Sequence, residues 1–221
     1  MKQVLAIPAV IGAVLTFSLS GCGKDSLSSK TGSLTLSIRA MPVSAPKAAS
    51  PQARQVTITA AKVVLGEIEI ESVNGDSTDF ESENPFVVNL DLTGATTNLG
   101  TVSIPFGTYD ELEFEVKKLR SSDSTIYNAN PDLQGRSLYV RGYVNGDTSA
   151  VFTFKSDLEA EQEQAFSPPL VVNESSPIII LVLSIDTSTW FNDGAGKFLD
   201  PRLTQNQEAI ERNIKASIKA Y

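Results

Sequence analysis

The stretch that decides the fold is residues 109–119, YDELEFEVKKL, where apolar and charged side chains alternate. The apolar positions on one side of an extended chain are Leu112, Phe114 and Val116. The charged positions on the other side are Glu111, Glu113, Glu115 and Lys117. A period of two residues is that of a β-strand with one face against a core and the other in water. The stretch therefore predicts an amphipathic strand.

The same signature recurs outward from this stretch. Further strands are predicted at residues 33–39, 56–72, 86–92, 99–104, 137–144, 148–155, 159–164 and 177–185. Gly66 lies where the inward parity of residues 56–72 changes, which predicts a β-bulge. Asn145-Gly146 predicts a tight hairpin turn. The unbroken apolar run 177–185, PIIILVLSI, predicts the most buried strand.

Residues 204–221 change to the period of a helix. Ile210, Ile214 and Ile218 recur every four residues, and Thr204 with Gln207 has the spacing of a capping box. About nine strands without an alternating βαβ pattern favour a mainly β fold. We therefore expect an antiparallel two-sheet β-sandwich with a C-terminal α-helix packed on it.

Composition excludes several classes of function. The chain has 221 residues, no His and one Cys. It therefore has no Ser-His-Asp triad, no His-ligated zinc site and no intrachain disulfide. A net charge of −8 and a pI near 4.6 argue against nucleic acid as a partner. No cofactor is expected.

The N-terminus has the pattern of an export signal. A basic Met1-Lys2 precedes the uncharged residues 4–19, which are too few for a spanning helix. The following LSGC, residues 19–22, resembles the lipobox of bacterial lipoproteins. That resemblance implies lipidation of Cys22, and Gly23 in place of an aspartate implies the outer membrane of a Gram-negative bacterium, with the domain facing periplasm or surface. A plain secretory signal with a chance cysteine is the alternative.

These patterns divide the chain into four parts. We expect a signal peptide at residues 1–21, a lipidated flexible tether at 22–32, a β-sandwich domain at 33–203 and a C-terminal helix at 204–221.

A second resemblance rests on segments inside the domain. These are PFGTYD at 105–110 with EFE at 113–115, FTFKS at 152–156, STWF at 188–191 and NIKAS at 213–217. They resemble an uncharacterised β-sandwich domain of lipid-anchored bacterial proteins. The resemblance implies an Ig-like or transthyretin-like sandwich, and it carries over no catalytic residue.

A Glu-x-Glu-x-Glu pattern occurs three times, at residues 67–71, 111–115 and 159–163. Like charges opposite each other destabilise paired strands, so we expect the trios to be separated, faced by Lys or Arg, or bridged by cations. One interpretation is a solvated outer face, and the other is a Ca²⁺ site. The candidate ligands are Glu111, Glu113, Glu115, Asp186 and Asp193. For the aspartates, which lie around Trp190, turn and cap chemistry is the competing interpretation.

The sequence thus supports one main hypothesis about function. It predicts a non-enzymatic, lipid-anchored envelope lipoprotein that serves as a structural module or binds envelope protein or glycan. The alternatives are a carboxylate-dependent extracytoplasmic hydrolase and a cation-stabilised, adhesin-like domain.

Overall fold

The computed structural model describes residues 30–41, 56–73, 80–82 and 84–220. The predicted signal peptide and the predicted lipidation site Cys22 lie outside the described residues. In chain order, the elements are β1 (Thr31–Met41), β2 (Val56–Ser72), β3 (Phe80–Ser82), β4 (Phe86–Asn89), β5 (Thr96–Pro105), β6 (Gly107–Val116), α1 (Ser124–Ala129), β7 (Leu138–Val144), β8 (Val151–Ser156), β9 (Ala160–Val172), β10 (Ile178–Asp186), α2 (Gln207–Ala216) and β11 (Ile218–Ala220).

The smaller of two sheets, sheet A, has the strand order β11, β10, β1, β5. The strands β1 and β10 are parallel, whereas the other pairs described in this sheet are antiparallel. Alternate residues of β1 and β10 are buried against the other sheet, as their apolar positions predict. The predicted two-sheet sandwich is confirmed, with one parallel pair.

The larger sheet, sheet B, is organised around the 17-residue strand β2. Val63 lies between β4 and β7, and Leu65 lies between β4 and β6. Because a strand residue has one neighbour on each side, β6 and β7 lie end to end on the same side of β2. Farther from β2, β9 pairs with β6, and β8 pairs with β7. The register shifts between Leu65 and Ile68, which confirms the bulge expected at Gly66.

The segment between β6 and β7, residues 117–137, leaves the sheet and carries a 3₁₀ turn (Ser121–Asp123) and α1. It closes a small second core in which Val64, Leu119 and Leu133 are completely buried. Val64 alternates with Val63 and Leu65 of the main core, so this second core lies on the outer face of sheet B. The alternation of apolar and polar residues in the sequence does not predict this covering segment.

One end of the sandwich is closed by α2 and by a cluster of aromatic side chains. Trp190 is buried and donates a hydrogen bond from Nε1 to Ser217 Oγ, 2.8 Å away. The rings of Phe191 and Phe152 pack edge to face, with their centroids 5.6 Å apart. Ile210 and Ile214 of α2 are buried in the same core. The expected packing of the C-terminal helix on the sandwich is thereby confirmed.

The C-terminal region and the start of the first strand differ from the sequence expectation. The C-terminal helix ends at Ala216, and residues 218–220 form β11, because Ile218 pairs with Ile185 and completes the sheet edge. No side-chain hydrogen bond caps the Thr204–Asn206 turn or α2, so the predicted capping box is absent. The first strand begins at Thr31, inside the predicted tether.

The hairpin of β7 and β8 has a longer connection than predicted. Asn145 and Gly146 both adopt positive φ, 58° and 72°, as the tight turn requires. Asp147 then accepts hydrogen bonds from the backbone N–H and hydroxyl of Ser149, which makes a second turn and delays β8 to Val151.

The prediction that residues 177–185 form the most buried strand is wrong. Ile178 and Ile180 of β10 are 66% and 62% exposed, while Leu181 and Leu183 are buried. The cause is geometric, since a strand in a sandwich has one face toward the core, and at Ile178 and Ile180 no described residue covers the other face. Within the described residues, no helix is long and apolar enough to cross a membrane.

Candidate functional site

The three glutamate trios meet on the outer face of sheet B. The strands β2, β6 and β9 are adjacent, and the register places Glu69 opposite Glu113 and Glu113 opposite Glu163. Neighbouring rows pair Glu71 with Glu111 and Glu115 with Glu161. We call these seven side chains the acidic face: Glu69, Glu71, Glu111, Glu113, Glu115, Glu161 and Glu163.

Of the three arrangements expected for the trios, separation in the sheet is therefore excluded. The trios of β2 and β6 alternate with buried residues, among them Ile70 of β2 and Leu112 and Phe114 of β6. Because side chains alternate with period two, burying these residues in one core places their glutamate neighbours on one opposite face. The hydrophobic core decides the register, and the carboxylates follow it.

The carboxylates of the acidic face are close together. The ligand atoms of Glu69, Glu71 and Glu113 lie within 4.8 Å of one another, and so do those of Glu113, Glu161 and Glu163. A hydrogen bond between Glu113 and Glu161 raises the pKa of Glu113 to about 7, with further contributions from burial and from the charges of Glu161, Glu69 and Glu163. Glu113 is the centre of the arrangement.

A second carboxyl group of the face is perturbed in the same direction. Burial is the main cause that raises the pKa of Glu111, and the charges of Glu163, Glu71 and Asp110 add to it. Both shifts favour the neutral acid, since crowded like charges and partial desolvation penalise ionisation.

Countercharge at this face is sparse among the described residues. Lys117 Nζ lies 3.5 Å from Glu115 Oε2. Two neighbouring lysines form ion pairs with carboxylates outside the acidic face. Lys62 Nζ lies 2.8 Å from Asp132 Oδ2, and Lys118 Nζ lies 3.8 Å from Asp157 Oδ2. Lys62 thereby fastens the covering segment 117–137 to β2.

The geometry defines what the acidic face can do chemically. A divalent cation above Glu113 would find three carboxylate oxygens from one group and would need water for the rest of the six to eight ligands that Ca²⁺ takes. General acid catalysis by Glu113 would need a substrate held against it. The side chains project side by side from a sheet, and Glu161 and Glu163 are exposed, so the part of the chain that the structure describes builds no walls of a substrate cleft around them.

Asp186 and Asp193, the other predicted metal ligands, lie in turns away from the acidic face. Asp186 Oδ1 accepts hydrogen bonds from Ser188 N at 3.0 Å and Ser188 Oγ at 2.5 Å, and so caps a 3₁₀ turn. Asp193 Oδ1 accepts from the backbone N–H of Ala195 and Lys197 at 3.0 and 2.9 Å. These contacts are those of turn and cap carboxylates.

Two cavities are described, and neither borders the acidic face. A cavity of about 310 Å³ lies between the sheets, and its lining is mainly apolar: Leu34, Leu36, Ile68, Asn84, Pro85, Phe86, Leu99, Gly100 and Val102. No side chain of that lining is ionisable. A smaller cavity of about 170 Å³ lies at the end of sheet A, lined by Met41, Ser184, Asp186, Thr189, Ala216, Ser217 and Lys219.

Comparison with known proteins gives no relative from which a role could be carried over. No family model matches the chain, and no curated protein or solved structure matches it. The resemblance to a domain of lipid-anchored bacterial proteins therefore stays a prediction from its residues.

Proposed function

We propose that the protein is a non-enzymatic, lipid-anchored lipoprotein of the bacterial envelope, whose β-sandwich serves as an interaction module for envelope protein or glycan. The observation that carries the proposal is LSGC at residues 19–22, directly after a basic and then uncharged N-terminus. In this proposal Cys22 bears the acyl chains, and the outer membrane of a Gram-negative bacterium holds them.

Two features of the described domain support an interaction role. The cavity between its sheets is lined by no ionisable side chain, and its unusual chemistry is on outer faces that a partner can reach. The perturbed carboxylates Glu111 and Glu113 lie on an open sheet face, whereas enzymes usually converge such groups in a pocket.

The proposal is tested by the chemistry of Cys22 in the full chain expressed in a Gram-negative host. Mass spectrometry of the N-terminal peptide should show a chain that begins at Cys22 and carries acyl groups. A Cys22→Ala control should lose the acyl mass and leave the membrane fraction. A mature chain that begins elsewhere, or an unmodified Cys22, would contradict the proposal. Protease treatment of intact cells then distinguishes a surface-facing domain from a periplasmic one.

The two alternatives are separated from this proposal by direct measurements. The raised pKa of Glu113 is the observation that favours the hydrolase, which predicts turnover of chromogenic glycosides or esters that Glu113→Gln abolishes. The clustered oxygens favour the cation-stabilised domain, which predicts a Tm that rises with millimolar Ca²⁺ and falls with a chelator. The interaction module predicts neither result.

A further inference from the structure

The outer face of sheet A carries three apolar side chains on β10, of which Ile178 and Ile180 are exposed and Val182 is half-buried. We call Ile178, Ile180 and Val182 the apolar stripe. They alternate with the core residues Leu181 and Leu183, and Ile178 and Ile180 are the two most exposed large hydrophobic residues described, at 66% and 62%. β11 pairs only with residues 183–185, so within the described residues the edge of β10 beside the stripe has no strand partner.

The surroundings of the stripe are neutral or basic. The register aligns Ser33, Thr35 and Ser37 of β1 with the stripe, and the hydroxyls of Thr35 and Thr101 lie 3.0 Å apart on the same face. The cationic residues that share this face are Arg39 of β1 and Lys219 of β11. The acidic residue described on the strands of this face is Asp186, at the far end of β10. Its carboxylate accepts hydrogen bonds from the backbone N–H and the hydroxyl of Ser188.

The stripe begins where the chain enters the domain. Ser33 is aligned with Ile178, and its backbone N–H donates to Pro177 O at 2.7 Å. Lys30, the first described residue, is ion-paired with Glu174 in the β9–β10 turn. Cys22 is eleven residues before Ser33, so even a fully extended chain reaches at most about 40 Å, and a coil reaches about 18 Å by root-mean-square.

We propose that the outer face of sheet A docks on the lipid surface that holds the acyl chains of Cys22. The inference rests on the proposed lipoprotein function. A short tether keeps the stripe at high effective concentration beside the membrane, so a few apolar side chains suffice where they would not bind lipid on their own. Anionic headgroups attract Arg39 and Lys219 and repel the acidic face, which orients the domain with sheet B away from the membrane.

A second copy of the chain is the competing occupant of this face. A stable dimer interface engages about 20–30 residues from each partner, with an apolar centre and a polar rim. The apolar stripe has three residues flanked by hydroxyl side chains. The membrane needs no complementary second surface, and the tether brings it to the stripe in every molecule. The observations therefore favour lipid.

The test uses the full-length lipidated protein in vesicles of phosphatidylethanolamine and phosphatidylglycerol. Acylated Cys22 is blocked, so a single added cysteine can carry a nitroxide spin label. Thr101→Cys places the label on the outer face of sheet A, and Thr153→Cys is the matched control, an exposed threonine on the outer face of sheet B. Accessibility to lipid-soluble oxygen relative to a water-soluble nickel chelate is measured at each site.

Docking predicts an oxygen-to-nickel ratio at Thr101→Cys that exceeds the control by about threefold or more. Ile178→Ser with Ile180→Ser should bring the ratio back to the control, whereas Val151→Ser, at a 46% exposed valine of β8, should leave it unchanged. Equal ratios at both labels with acylated Cys22 would overturn the inference alone. Spin–spin broadening between copies at Thr101→Cys would overturn it in favour of a dimer. An unacylated Cys22, read by mass, would overturn the proposed function itself.

Discussion

The outer faces of the two sheets differ although their inner faces follow the same rule. Both sheets bury alternate apolar residues, as Ile38 of β1 and Phe114 of β6 illustrate. On the outer side, sheet A has exposed isoleucines and hydroxyl groups, whereas sheet B has seven clustered glutamates and a covering segment. The core therefore dictates the inner faces, and the outer faces are where the chain is free to differ.

The acidic face violates the usual preference for opposite charges across paired strands. Its crowding raises the pKa of Glu113 and Glu111, so the face opposes folding once it ionises. Proteins keep such local conflicts where function requires them and compensate through the rest of the core. The following predictions test the contrast between the two faces, in order of expected effect.

The largest effect is expected in the covering segment, which distinguishes the outer side of sheet B from that of sheet A. Leu133→Ala removes a completely buried side chain from the second core and should lower the free energy of unfolding by about 3 kcal/mol. Urea denaturation measures this change. Leu203→Ala, at a 47% exposed leucine, should change it by less than about 0.5 kcal/mol. Equal effects of both variants would show that the second core contributes little.

The second prediction concerns the pH dependence created by the acidic face. Because the pKa of Glu113 is higher in the folded chain than in the unfolded chain, the folded state binds more protons between about pH 4.5 and 7. Stability should therefore fall as the pH rises through this window, by roughly 1–2 kcal/mol after solvent screening of a half-buried group. Chemical denaturation at pH 5 and pH 8 measures the difference.

Glu113→Gln should remove most of that dependence and stabilise the protein at pH 8 but not at pH 5. Glu208→Gln, an exposed glutamate of α2, is the matched control and should leave the profile unchanged. At acid pH a second effect operates, because hydrogen bonds from Thr93 and Ser149 lower the pKa of Asp91 and Asp147. The stability that these two carboxylates contribute is lost as the pH falls below the ordinary pKa of aspartate. A profile that rises steadily from pH 5 to pH 8 would contradict the assigned cause.

The third prediction reverses the sign of one charge in the central row. Glu163→Lys places a cation opposite Glu113 and should raise stability at pH 8 by about 0.5–1 kcal/mol. Glu163→Gln separates the loss of repulsion from the new attraction and should fall between the wild type and the lysine variant. Added salt should stabilise the wild type more than either variant. Destabilisation by both variants at low salt would show that the glutamates do not repel one another.

The smallest effect is expected on the outer face of sheet A. Ile178→Ser and Ile180→Ser should each change the free energy of unfolding by less than about 0.5 kcal/mol, because both side chains are largely exposed. Thermal denaturation with Leu181→Ala as the buried control measures the contrast within one strand. A loss of more than about 2 kcal/mol at Ile180 would show that the stripe packs inside the protein.

Much of the fold was accessible from the sequence because alternation is a local property. Residues 109–119 and 159–164 were predicted as strands, and β6 covers the first as far as Val116 while β9 covers the second from Ala160, even though EAEQEQ has helical propensity. Burial of Phe114 and its neighbours outweighs that propensity. The bulge near Gly66 was also predictable, since a parity change within one strand requires an extra residue.

The candidate site was accessible only in part. The sequence identified Glu111, Glu113 and Glu115 as unusual, but the pairing of β2 with β6 and β9 brings their trios together. Strand adjacency is a long-range property that period-two patterns do not encode. The same limit explains why the unbroken run at residues 177–185 was expected to be buried on both faces, whereas Ile178 and Ile180 are exposed.

The sequence by itself determined that the chain is a β-sandwich and which side of each strand faces its core, because side-chain alternation and apolar burial act within a few residues. The resemblance of LSGC at residues 19–22 to a lipobox can also be seen in the sequence alone, since export signals are linear motifs. Tertiary structure alone decided which strands are neighbours, and therefore that the glutamates crowd around Glu113 while the apolar stripe lies beside the chain entry. The physical reason is that burial of the core selects one pairing of strands, and the outer side chains take the neighbours that this pairing imposes.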